Sequence, residues 1–82
     1  MIKGDLFKVT RGPMIYREHL IPDQSHEGMV FRVLFIEPST TQMVCETTIK
    51  KGPFNADEKF SFDLSNIETV RVSQDYLDAL KK

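Results

Sequence analysis

The sequence predicts an all-β fold: a small barrel or a strongly bent antiparallel sheet of five to six strands, with a short C-terminal helix. Three observations carry this expectation. The run Met29-Val30-Phe31-Arg32-Val33-Leu34-Phe35-Ile36 contains a single charge and is apolar on both faces of an extended strand. Glycine, proline and small polar residues punctuate the chain at short, regular intervals, which suits several short strands. Only from Ser73 onward does the apolar period change from that of a strand to that of a helix.

Taken in order, residues 5–10 (Asp-Leu-Phe-Lys-Val-Thr) read as a first strand, stopped by Arg11-Gly12-Pro13. Residues 14–21 read as a second, stopped by Pro22-Asp23, and residues 22–28 form a polar loop with turn chemistry at both ends. The two-sided strand at 29–36 places Phe31, Val33 and Phe35 on one face and Val30, Leu34 and Ile36 on the other, before Glu37-Pro38-Ser39-Thr40-Thr41 turns the chain. In the fourth strand, 42–50, Met43, Cys45, Thr47 and Ile49 oppose Val44, Glu46, Thr48 and Lys50. After the loop at 51–57, residues 59–64 alternate cleanly. Phe60, Phe62 and Leu64 are therefore expected to share one core with Phe31, Val33 and Phe35. Ser65-Asn66 then turns into a strand at 67–72.

In the tail, Ser73 suits a helix N-cap, Asp75 the positive end of the dipole, and Lys81 and Lys82 the negative end. A helix this short falls below the roughly 12–15 residues that are marginally stable alone, so it forms only if its apolar face is docked. Tyr76, Leu77 and Leu80 are the natural cover for the far face of the two-sided strand. The remainder of that face is covered either by curvature of the sheet or by a second copy in an isologous dimer.

Lys3-Gly4-Asp5-Leu6-Phe7-Lys8-Val9 resembles the opening strand of many SH3-like barrels. The segment from Phe62 through Ser65-Asn66 to Val72 resembles their last two strands joined by a tight turn. The resemblance is at the level of fold and implies a small SH3-like barrel in shape, with no particular ligand. The absence of Trp also argues against an aromatic-lined groove for proline-rich peptides. Arg11-Gly12-Pro13-Met14 and Lys51-Gly52-Pro53-Phe54 echo one another, but nothing else repeats at that offset, and two strand-ending turns account for the likeness.

A chain of 82 residues has room for one hydrophobic core and is expected to be a single domain. Cys45 is the only cysteine, so no disulfide framework exists within the chain; one thiol fits a reducing compartment or a buried cysteine acting as a small hydrophobe, and a cytoplasmic setting is expected. Net charge is −1, with neither half of the chain strongly biased, so no basic run advertises nucleic acid. No apolar run approaches the roughly 20 residues that span a bilayer.

Candidate chemistry is sparse. His19 and His26 lie near Glu18, Asp23 and Glu27 in sequence, but the tight ligand spacings of a structural zinc site are missing, and no metal or other cofactor is expected. The adjacent Asp57-Glu58 follow a turn, where solvated acids are ordinary, and no nucleophile motif or glycine-rich phosphate loop is present. The expectation is a non-enzymatic binding module for a protein partner, self-association included. The alternative is a nucleic-acid-associated accessory domain. Its candidate residues are Arg11, Tyr16, Arg17, Lys51 and Phe54, because exposed aromatics beside cations form stacking platforms for bases. Phe54 also has a plainer reading, as a plug at one end of the barrel.

Overall fold

The computed structural model describes residues 2–21, 28–50 and 54–81. The described chain is mainly β: β1 (Leu6–Arg11), β2 (Met14–Tyr16), β3 (His19–Ile21), β4 (Phe31–Glu37), β5 (Gln42–Thr47), β6 (Lys59–Asp63) and β7 (Glu68–Arg71), then the helix α1 (Gln74–Leu80). Its strands form one antiparallel sheet in the order β3-β2-β6-β5-β4-β1-β7.

That order forces the sheet to curl. Only Gly12 and Pro13 separate β1 from β2, so Arg11 and Met14 lie at most about 11 Å apart. In the sheet the same strands are four steps apart, which in a flat sheet of about 4.8 Å per step would be about 19 Å. The mismatch disappears only if the sheet rolls into a half-barrel. The β6–β7 connection crosses the same opening, and the two links touch. A Cβ on Gly12 would lie 2.5 Å from the carbonyl oxygen of Asn66 and 2.6 Å from Cγ2 of Ile67. Gly12 also holds φ at +111°, a conformation side chains rarely tolerate, so glycine is required there twice over.

Inside the curl, Phe7, Val9, Met14, Met29, Phe31, Val33, Met43, Cys45, Phe60 and Phe62 form the main core. Phe31 is its hub, with ring centroids 5.1 Å from Phe62, 5.5 Å from Phe60 and 5.6 Å from Phe7. The first two are edge-to-face, the favoured arrangement of aromatic quadrupoles. A second cluster lies against the helix, where Leu77 is fully buried with Leu6 and Val30, flanked by Ile49 and Val72.

Several expectations need correction. The described residues form seven strands, because the stretch 14–21 is a hairpin: Tyr16 pairs with His19 across the two-residue turn Arg17-Glu18. Both turn residues have positive φ, 49° and 69°, as a type I′ turn demands. The last two strands are joined by a tight turn but are not partners, since β6 lies between β2 and β5 and β7 lies outside β1. In β4 the register shifts between Val33, opposite Cys45, and Phe35, opposite Val44. Leu34 is thus the extra residue of a β-bulge, and the bulge reverses the facing of the residues after it. Phe31, Val33, Phe60 and Phe62 share the core as expected, and Leu64 packs at its margin. Phe35 is turned out and 53 % exposed, and Ile36 takes its place against the core. Ile36 therefore needs no cover from the helix, which buries Leu77 while Tyr76 and Leu80 stay exposed. The Ser73 hydroxyl caps α1, accepting from the Tyr76 amide at 3.1 Å, and Asp75 lies in the first turn. Lys81 is the C-cap, beyond a last turn that holds no basic residue, and Lys82 lies outside the described residues.

Candidate functional site

Three of the five residues singled out from sequence meet around one ring. Tyr16, at the end of β2, packs between Phe60 and Phe54, with centroids 4.9 and 5.2 Å away, and the guanidinium of Arg17 stands 5.2 Å from its ring. The Tyr16 hydroxyl donates to Glu58 Oε2 at 2.9 Å. That bond to a carboxylate, with partial burial, raises the phenol's pKa above its usual range, and Arg17 offsets part of the rise. Phe54 is half-buried and also meets Phe60 edge-on at 5.1 Å. Around this ring cluster the chain is pinned by the buried Thr47, whose hydroxyl donates to the Asn55 carbonyl at 2.6 Å and accepts from the Glu58 amide at 2.9 Å. Arg11 is engaged elsewhere, 3.6 Å from Glu68 on β7, with both side chains largely exposed. Lys51 lies outside the described residues, as do Asp23, His26 and Glu27 of the histidine-rich stretch and the Gly52-Pro53 echo.

A larger feature lies on the convex outer face, and it follows from the register. Phe35 on β4 stands opposite Val44 on β5, Val44 opposite Ser61 on β6, Ser61 opposite Ile15 on β2, and Ile15 opposite Leu20 on β3. Directly opposed residues of an antiparallel pair share a face. The row Phe35, Val44, Ser61, Ile15, Leu20 therefore crosses five strands on the side away from the core, and four of its members are apolar. Leu20 is 70 % exposed and Phe35 53 %.

Charged residues flank the row on both sides. Two residues along each strand in one direction stand Glu37, Gln42 and Asp63 on β4, β5 and β6. In the other direction stand Arg32, three residues from Phe35 because of the bulge, and Glu46 and Lys59, two residues along, all in register. Glu46 bridges its two neighbours, 3.4 Å from Arg32 and 3.7 Å from Lys59. Asp63 is held by the turn after it, accepting from the Ser65 hydroxyl at 2.6 Å, the Ser65 amide at 3.0 Å and the Asn66 side-chain amide at 3.1 Å. The Ser65 donors, and Thr41 more distantly, hold its carboxyl below the ordinary range.

This face is hidden in the sequence because unbroken alternation from Phe31 puts Phe35 in the core. The alternation of β5 did put Val44 and Glu46 on the side away from Met43 and Cys45, which was the one available signal. Cys45 itself is buried, and burial pushes its thiol far above the ordinary range, so it stays protonated. Among the described residues no group of His, Cys, Asp and Glu side chains is placed to hold a metal ion, and no helix is long and apolar enough to cross a membrane. Compared with known proteins, the chain matches no protein-family model, no curated protein and no solved structure.

Proposed function

We propose that this chain is a small, non-enzymatic binding module, an SH3-like barrel in form, that mediates protein–protein interaction or assembly through its outer face. The observation that carries the reading is the cross-strand row from Phe35 to Leu20, whose two ends the fold leaves exposed, with Val44, Ser61 and Ile15 part-buried between them. A mainly apolar row rimmed by charge, broken only by Ser61, is a surface suited to a partner. The SH3-like description draws its support from the half-barrel curl and the short links across its opening. A cytoplasmic setting goes with this reading, since a chain with one cysteine has no disulfide framework that would call for an oxidising compartment.

The nucleic-acid alternative has thinner support. Arg11, Arg32, Lys59 and Arg71 each lie within 3.4 to 3.8 Å of a carboxylate, which offsets the charge that phosphate would need. Arg17 beside Tyr16 keeps the geometry of a stacking site, but Glu58 lies against the same ring's hydroxyl.

The test is capture from the native lysate with the immobilised chain, followed by cross-linking to locate the partner. Phe35→Lys and Leu20→Lys are expected to abolish capture while leaving the thermal midpoint unchanged. Capture that survives both substitutions places the binding surface elsewhere. Sub-micromolar binding to random duplex DNA that falls steeply with salt would favour the alternative.

A further inference from the structure

We propose that the occupant of the outer face is a second copy of the chain, docked face to face about a two-fold axis running along the apolar row. This rests on the outer face being the binding surface. Charge points to the second copy. On β4, β5 and β6 the face is a three-by-three grid, with Glu37, Gln42 and Asp63 along one margin, Phe35, Val44 and Ser61 in the middle, and Arg32, Glu46 and Lys59 along the other. One margin is acidic and the other carries two cations around one carboxylate.

A two-fold axis along the middle row lays that row on its own copy and exchanges the margins. Glu37 then faces Arg32 of the second copy, Asp63 faces Lys59, and the Gln42 amide is positioned to donate to the Glu46 carboxylate. Each pairing occurs twice, as an isologous interface requires. The other face-to-face dyad, parallel to the strands, keeps each margin on itself. It would set Glu37 against Asp63 and Arg32 against Lys59, so the charge pattern rejects it. The grid is therefore self-complementary in one orientation and self-repelling in the other.

Three strands by five residues cover roughly 250 Å² per copy at ordinary strand spacings. That is well below the roughly 800 Å² per partner of a standard interface, and the curl of the sheet keeps it small. The dimer is accordingly a weak one whose population follows concentration.

Sedimentation equilibrium of the full chain, from micromolar to about 1 mM, tests this, the upper limit being set by the small area. Wild-type protein is expected to enter a monomer–dimer equilibrium. Arg32→Glu puts four acids across the two contacts, and Glu37→Arg puts four bases there, so each variant alone should weaken association by about tenfold or more. Their equimolar mixture sets an all-acidic copy against an all-basic one and should bring the dissociation constant back to within about threefold of wild type. Circular dichroism melts confirm that the variants fold. If Arg32→Glu unfolds through loss of its Glu46 contact, Val44→Lys replaces it, since two lysines meeting near the axis must abolish dimerisation. A wild-type chain that stays monomeric throughout, single variants that dimerise like wild type, or a mixture that stays monomeric would each overturn the proposal. If the chain is monomeric but Phe35→Lys still abolishes capture of a different protein, the second-copy proposal falls and the binding surface stands. If Phe35→Lys changes neither association nor capture, both fall.

Discussion

Replacing Gly12 by Ala tests the curl of the sheet at the point where the chain is most constrained, and Gly4 supplies a control. Both glycines have positive φ, +91° at Gly4 and +111° at Gly12, so an added methyl group at either position meets the backbone cost of that conformation, about 1–3 kcal/mol. They differ in surroundings. A Cβ on Gly4 would have nothing within 4 Å, while one on Gly12 would lie 2.5 Å from the Asn66 carbonyl oxygen and 2.8 Å from the Ile67 Cα. Ordinary contact starts near 3.4 Å, so the β6–β7 link would have to retreat by most of an ångström, and both near atoms are backbone. Overpacking of this kind adds about 1–3 kcal/mol. Gly12→Ala is thus expected to cost about 2–6 kcal/mol in total, against roughly 3–5 kcal/mol of net stability for a domain of this size. Urea unfolding followed by far-ultraviolet circular dichroism should show Gly4→Ala as a folded protein with a lowered midpoint. Gly12→Ala should unfold at markedly lower urea or be unfolded without it. Equal midpoints for the two variants would refute the close crossing of the two links and the curl that depends on it.

Three further outcomes are expected. Phe62→Ala should lower stability by about 3–5 kcal/mol in chemical denaturation, while Phe35→Ala should shift it by less than about 0.5 kcal/mol; a large loss at Phe35 would mean the bulge at Leu34 is wrongly placed. Leu77→Ala should cost about 2–5 kcal/mol and Ser73→Ala about 1 kcal/mol, because one fills the second cluster and the other caps the helix that carries it. Stability unchanged by deleting residues 74–82 would show that the helix covers nothing. Asp63 has a depressed pKa when folded, so its contribution is present above the unfolded value of about 3.9 and is lost as pH falls through the folded value. Asp63→Asn should flatten the acid limb of a stability-against-pH profile below about pH 4, and an unaltered limb would show that the Ser65 hydrogen bonds contribute nothing to it.

Much of the fold was legible because it depends on local composition. The two-sided run at 29–36, the alternation at 59–64 and the Ser73 cap each announce themselves within a few residues. The illegible part depended on backbone conformations that the residues do not advertise. Asn-Gly between strands would have signalled the β2–β3 hairpin, but Arg17-Glu18 occupies the two left-handed positions without any such signal. Leu34 is as apolar as its neighbours, so nothing in the sequence marks it as the residue that breaks the pairing and turns Phe35 outward. The candidate site divides in the same way. Tyr16 and Arg17 are neighbours in sequence, and Phe54 joins them in space. The outer row needs pairings among positions 15, 20, 35, 44 and 61, and no one-dimensional period links those numbers.

The sheet order also governs how the chain must fold in time. β1 precedes the other described strands, yet its two neighbours are β4 and β7, and Val9 waits for Thr69 to complete its pairing. The two long hairpins β4–β5 and β5–β6 join strands adjacent in sequence and can assemble early. Closing β1 between β4 and β7 then requires loops of tens of residues to lose their freedom before any contact rewards them. Small all-β domains dominated by such pairings fold on the millisecond-to-second scale, and this chain belongs with them. During synthesis one pairing edge of β1 stays open until β7 has been made, even once β4 has paired with the other. Residues beyond Arg71 complete the hold on β1: the Val72 amide donates to the Leu6 carbonyl at 3.0 Å, and Leu77 packs against Leu6.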